Sequence, residues 1–204
     1  MSSSSLSPNS LSALSTNNLM IDLIVYACPV GPLARQIEAY LEKSQQTIGR
    51  NAAHAYMPHC TLTGFFSDEK SAIPIYLSAL EKVLCEHSQH ISNPPITIEE
   101  MLFREKWHGL ALKANWLKQM VADFAQQAHS PTRTESLRLK DWLHLSLAYD
   151  FKLEDVEMLE QLAKEMIAPS AEVAWEIRFY EREQNRSTPE PLHNRWLCHG
   201  SWPI

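Results

Sequence analysis

The feature that most constrains this chain is a short pattern that occurs twice, 85 residues apart: His59-Cys60-Thr61-Leu62 and His144-Leu145-Ser146-Leu147. Each copy is a histidine, any residue, a hydroxyl residue and a leucine. Side chains alternate across a β-strand, so His59 and Thr61 leave one face while Cys60 and Leu62 leave the other. His144 and Ser146 stand in the same relation to Leu145 and Leu147. The apolar backs suit helix packing, and the His-hydroxyl faces are free to look into a groove. One match to so short a pattern is ordinary, but two in comparable settings point to two related halves.

The flanking sequence supplies those settings. Met20–Cys28 reads as a strand, Pro29 and Gly31-Pro32 as punctuation, and Leu33–Gln45 as a helix with Leu33, Ile37, Tyr40 and Leu41 at helical spacing. His59–Phe66 is expected to be one strand, with Ser67-Asp68 starting a helix over Ile73–His87. Pro95–Arg104 and Trp107–Lys113 form an expected hairpin, and Asn115 caps a helix through Gln127. After a polar, punctuated stretch from Pro131 to Lys140, Trp142–Tyr149 reads as a strand and Leu153–Ile167 as an amphipathic helix. Ala171–Glu181 alternates cleanly, with Val173, Trp175, Ile177 and Phe179 on one face. Glu183–Asn194 is expected to be a loop and Arg195–Trp202 a closing strand.

Composition narrows the function. The 204 residues carry a formal charge of −6 and are 45% apolar, enough for one good-sized core or two small lobes. That charge argues against long DNA or RNA as a partner, because no broad cationic surface is available for the phosphate backbone. Cys28, Cys60, Cys85 and Cys198 are isolated and are expected to be reduced, buried thiols of a cytoplasmic protein. No HxxxH or His-Cys spacing suggests a metal site, so no metal and no cofactor are expected. Residues 1–18 read as a poorly ordered lead-in, neither signal peptide nor membrane span, leaving 19–204 as a single domain of two lobes and a monomer.

Paired imidazoles and hydroxyls suit in-line displacement at a phosphodiester. One group removes a proton from the attacking oxygen and another protonates the leaving oxygen, and histidine performs either task near neutral pH. Thr61 and Ser146 can donate hydrogen bonds to non-bridging phosphate oxygens without adding a competing acid or base. Around them, strand parity nominates Phe65 and Trp107 as rings that could stack on a base. Arg178 and Tyr180 lie opposite the apolar face of their strand, with Tyr26 and Tyr149 as poorer candidates. His54 is expected to order the loop before the first signature.

The two signatures resemble those of the two-histidine (2H) phosphoesterases. Pro58-His59-Cys60-Thr61-Leu62-Thr63-Gly64-Phe65-Phe66, His144-Leu145-Ser146-Leu147-Ala148-Tyr149 and Trp175-Glu176-Ile177-Arg178-Phe179-Tyr180 look particularly like the phosphodiesterase domain of the ubiquitin-associated, SH3-containing suppressors of T-cell signalling. That resemblance implies an α+β, bilobal, pseudo-symmetric fold of two antiparallel-rich sheets flanked by helices around a central groove. It also implies opening of 2′,3′-cyclic nucleotides, or cleavage of related 2′-linked esters, by two-histidine general acid/base catalysis. Small nucleotides or short RNA ends are then the expected partners. Two alternatives stand beside it: a non-catalytic nucleotide or RNA-end binding module, and an RNA 2′,5′-phosphodiesterase or RNA-end processing enzyme.

Overall fold

Strand β1 (Met20–Val30) organises the molecule, and its alternation explains why. Ile21, Leu23, Val25 and Ala27 point into the main core. Ile24, Tyr26 and Cys28 point the other way, into a small second cluster with Tyr180. A strand buried on both faces sits in the middle of a sheet, and β1 is paired along both edges. The computed structural model describes residues 19–89, 94–183 and 195–204. The expected lead-in 1–18 and all of the expected loop Glu183–Asn194 except Glu183 lie outside them.

In chain order, β1 is followed by α1 (Pro32–Ile48), β2 (Cys60–Thr61), β3 (Phe66–Glu69), α2 (Ile73–Gln89), β4 (Thr97–Arg104), β5 (Trp107–Lys113), α3 (Asn115–Gln127), β6 (His144–Tyr149), α4 (Val156–Met166), β7 (Ala174–Glu183) and β8 (Arg195–Pro203). The sheet is antiparallel and runs β4-β5-β6-β2-β1-β7-β8, with β3 also on β1. From the β6–β2 junction the order reads alike in both directions for three strands. Exchanging β6 with β2, β5 with β1 and β4 with β7 maps one side onto the other. The helices follow the same exchange: α1 packs on α4, and α2 on α3.

The α+β composition agrees with expectation, but the two separate sheets do not. The single pairing Cys60↔Leu145 joins them into one eight-stranded ladder. Its physical cause is the apolar back of each signature: Cys60 and Leu145 are fully buried in the same core.

A second correction concerns His59–Phe66, which is not one strand. The register against β1 changes from Tyr26↔Thr61 to Leu23↔Phe66, so the stretch 62–65 carries two extra residues. Thr63 stabilises this bulge. Its hydroxyl accepts the Val25 N–H at 3.1 Å, where a ladder would use a carbonyl, and the Leu62 and Thr63 amides both donate to Val25 O. Because the insertion is two residues long, Phe65 regains the parity of His59 and Thr61. Ser67 and Asp68 consequently belong to β3 rather than to a helix start.

Smaller differences follow the same local logic. Asn115 is the first residue of α3, and Ala114 stands at its cap without a side-chain bond. His54 orders its loop as expected, closing a reciprocal cap with Asn51 and reaching Leu41 O at 2.9 Å. Cys28 and Cys60 are buried thiols, pushed up to about 12 by burial, whereas Cys85 and Cys198 are exposed. Among the described residues no helix is long and apolar enough to cross a membrane.

Candidate active site

The β2–β6 junction determines the centre of the site. Extending the Cys60↔Leu145 register by one residue sets His59 across from Ser146 and Thr61 across from His144. Each imidazole therefore faces the hydroxyl of the other signature. The histidines occupy one diagonal of this four-residue array, and diagonal neighbours in an antiparallel pair lie about 7–8 Å apart. All four residues line one cleft of about 440 Å³ on the sheet face away from the helices.

Both rings are held alike. His59 Nδ1 lies 2.8 Å from Met57 O, and His144 Nδ1 lies 3.2 Å from Trp142 O, in each case the carbonyl two residues back. A carbonyl only accepts, so each Nδ1 carries hydrogen and each neutral ring keeps Nε2 as a free base. Aromatic neighbours clamp the rings. Tyr26 lies 4.0 Å and Tyr56 5.3 Å from His59 between centroids. Trp142 stacks on His144 at 4.2 Å, with Trp107 edge-on at 5.3 Å.

Burial makes both rings reluctant to take a proton. It drives His59 from the ordinary 6.5 down to about 4, partly opposed by the Met57 carbonyl and reinforced by His144. His144 is lowered too, first by burial, against the pull of the Trp142 carbonyl, then by the Lys140 and Arg104 cations. That His144 acts on His59 accords with a shared cleft.

Trp107 lines the cleft as expected, and its indole N–H donates to Ser146 Oγ at 2.9 Å. With that lone pair engaged, the Ser146 hydroxyl hydrogen is available to an incoming acceptor. The ring reaches Ser146 by lying over Gly109, where an added Cβ would come within 2.3 Å of the indole and 2.4 Å of Leu145 O. Tyr149 also lines the cleft, although simple alternation would bury it. A bulge explains the change: His108 pairs with Ala148 but Gly109 with Ser146, leaving Leu147 extra and burying Leu147 and Ala148 together. Phe65 lines the cleft as its parity requires.

Arg178 and Tyr180 are the correction here, since neither lines the cleft. Tyr26 pairs with Thr61 on one side and Arg178 on the other, so its ring stands between Arg178 and the signatures. Glu176 binds the guanidinium at 2.7 Å, while Tyr180 fills the small apolar cluster beside Ile24 and Tyr26. Sequence reasoning ranked Tyr26 low and passed over Tyr56, Arg138 and Lys140, which line the cleft. Tyr56 stands three residues before the first signature and Lys140 four before the second, and that nearness is the one sequence signal for either. Among the described residues no group of three or more His, Cys, Asp or Glu side chains could hold a metal ion.

Known proteins bear on this geometry. No protein-family model matches the chain. A Bombyx mori protein named ecdysteroid-phosphate phosphatase is 30% identical over 167 residues, covering 79% of this chain and 24% of that protein. The mouse ubiquitin-associated and SH3 domain-containing protein B is 34% identical over 147 residues, covering 70% and 23%. The Drosophila melanogaster ecdysteroid-phosphate phosphatase is 27% identical over 207 residues, covering 83% and 27%. The chain thus spans about a quarter of the length of these curated relatives. Its paired signatures and these matches together place the chain in the two-histidine phosphoesterase family, in the group that includes a segment of the ecdysteroid-phosphate phosphatases and of the ubiquitin-associated and SH3 domain-containing proteins.

Proposed function

We propose that this chain is a phosphoester hydrolase whose reaction is the opening of 2′,3′-cyclic nucleotides, or related 2′-linked phosphodiesters, by His59 and His144. One observation carries the reading: two imidazoles with free Nε2 atoms lie on a diagonal, each across from the other strand's hydroxyl. A phosphodiester at the centre of this array has an imidazole on either side, as in-line displacement requires. Thr61 and Ser146 donate to its two non-bridging oxygens.

In the proposed step, one neutral Nε2 accepts a proton from water as the water oxygen bonds to phosphorus. The bond from phosphorus to the 2′ or 3′ oxygen breaks, and the other imidazolium gives its Nε2 proton to that oxygen. A nucleoside monophosphate leaves, and the histidines end with exchanged protonation states. The phosphatase in the relatives' names describes whole proteins, about three quarters of which lies outside the match. A diester substrate uses both histidines of the matched segment, which is why it is preferred here.

The test is turnover of the four 2′,3′-cyclic mononucleotides with product analysis, in wild type and in His59→Ala and His144→Ala. Each replacement is expected to lower kcat by about 10²- to 10⁴-fold, the range of a general acid or base. Near-normal turnover by both variants, each correctly folded, would refute the mechanism.

A further inference from the structure

Two cations line the cleft that the proposed hydrolysis does not use, Arg138 and Lys140. They stand in the stretch from Pro131 to Lys140, which the fold anchors at both ends. At its start, Thr132 donates to Asp68 at 2.6 Å, and Asp68, fully buried, also accepts from Tyr76 at 2.6 Å and from the Glu69 amide. Arg133 reaches the Tyr76 hydroxyl at 3.1 Å. At its end, the Gly64 amide donates to Arg138 O, the Lys140 amide to Leu62 O, and Thr63 pairs with Leu139. Arg138 Nη2 donates to Phe65 O at 3.2 Å, which keeps the guanidinium at the Gly64–Phe65 end.

The cleft is therefore polarised along its length. Tyr56 and Tyr149 lie beyond His59 and Ser146, and Arg138 and Lys140 lie with Gly64 and Phe65 beyond Thr61 and His144. Among the described residues no carboxylate lines the cleft, in a chain whose formal charge is −6. The central phosphate already has two neutral donors. The cations stand to one side of it, near enough for Lys140 to lower His144.

From this we infer that the site has a second anion subsite, built by Arg138 and Lys140, for a further phosphate on the nucleoside that carries the scissile ester. This inference rests on the proposed phosphodiesterase reading. Gly64 fits it, because an added Cβ would lie 3.2 Å from Arg138 Nε and crowd the guanidinium. A 5′-phosphate or the internal phosphate of a short oligonucleotide supplies the same chemistry.

The experiment compares kcat/KM for adenosine 2′,3′-cyclic phosphate, its 5′-phosphorylated form, and an adenosine dinucleotide ending in a 2′,3′-cyclic phosphate. The extra phosphate is expected to raise kcat/KM about tenfold or more, mostly through KM, and salt should shrink the gain. A gain with the 5′-phosphate names a mononucleotide source; a gain with the dinucleotide alone names an RNA end. Arg138→Gln combined with Lys140→Gln should bring the ratio close to one. Equal values for all three substrates in wild type would overturn the inference without any variant. If no cyclic substrate turns over, the reaction assignment fails by itself, and calorimetric titration with the same three ligands still decides the subsite. Tighter binding of the phosphorylated forms upholds it, and equal binding overturns it.

Discussion

Replacing His59 with Gln should remove a specific part of the chain's acid sensitivity. Burial holds this ring at about 4, against 6.5 for an exposed imidazole. The unfolded chain therefore binds a proton that the folded chain refuses, and stability falls wherever the unfolded state binds more protons as the pH drops. The contribution of His59 is fully present above the unfolded value, is lost as the pH falls from 6.5 to about 4, and changes no further below that. Between about pH 7.5 and about pH 4.5 this linkage amounts to about 2.5 kcal/mol for a wholly enclosed ring. Partial exposure in the cleft brings it nearer about 2 kcal/mol. Glutamine keeps a donor for Met57 O but does not titrate, whereas His108 and His144, both also lowered, remain in place and cancel in the comparison. Urea unfolding at the two pH values, for wild type and His59→Gln, measures the difference. Wild type should lose about 2 kcal/mol more than the variant over the interval. Equal losses would show that the ring is solvated enough to titrate normally, and the reading of His59 as a desolvated ring would fall with it.

Three further outcomes follow from the same geometry. Because one imidazole must be neutral and the other charged, kcat/KM for a cyclic nucleotide should be bell-shaped with its maximum between about pH 4 and pH 6.5, since both rings lie below the ordinary value; an optimum above about pH 7 would contradict this. Trp107→Phe keeps an aromatic ring but deletes the N–H that holds Ser146 Oγ, and should lower kcat/KM about tenfold, the equivalent of about 1.4 kcal/mol. A Trp107→Phe/Ser146→Ala double variant no worse than Ser146→Ala alone would show the two acting together. Gly109→Ala should destabilise the fold by about 2 kcal/mol or more in denaturant titration, because the new methyl meets a backbone oxygen as well as the indole; unchanged stability and activity would refute the close approach.

The legible part of the site was the part fixed by strand alternation. His59, Thr61, His144 and Ser146 share a face because a two-residue period allows nothing else in regular strands, and their apolar neighbours are buried. Illegibility began where regularity ended. Leu147 is an extra residue against β5, and that one-residue insertion turns Tyr149 back toward the cleft. The Thr63 bulge inserts two residues, so Phe65 obeyed its parity for a reason that alternation does not contain. Arg178 had the correct face but the wrong strand. It lies one strand beyond Tyr26, and lateral strand order is a tertiary property that its own alternation cannot report. Arg138 and Lys140 sat in a polar stretch with no period at all, and reach the cleft only through pairing with residues 62–64, more than seventy positions earlier.

The exchange symmetry of the sheet explains why the site has two similar halves, and its breakdown explains why they need not do the same work. Cys60↔Leu145 lies at the junction, so the His-hydroxyl pairs and the carbonyls holding them are related across it. Their surroundings are not related. His59 lies between two tyrosines, while His144 lies against two tryptophans, with Lys140 and Arg104 close enough to act on it. An anionic substrate neutralises cations, so its arrival relieves the part of the depression at His144 that Lys140 and Arg104 cause. Burial is the first cause at both rings, and an anionic phosphate between them opposes it at each, but only at His144 does it also offset the two cations. In the proposed reaction this asymmetry predicts the proton on His144 and the free base at His59. On the proposed reading the two halves supply one pair, and the unequal neighbours give it a direction.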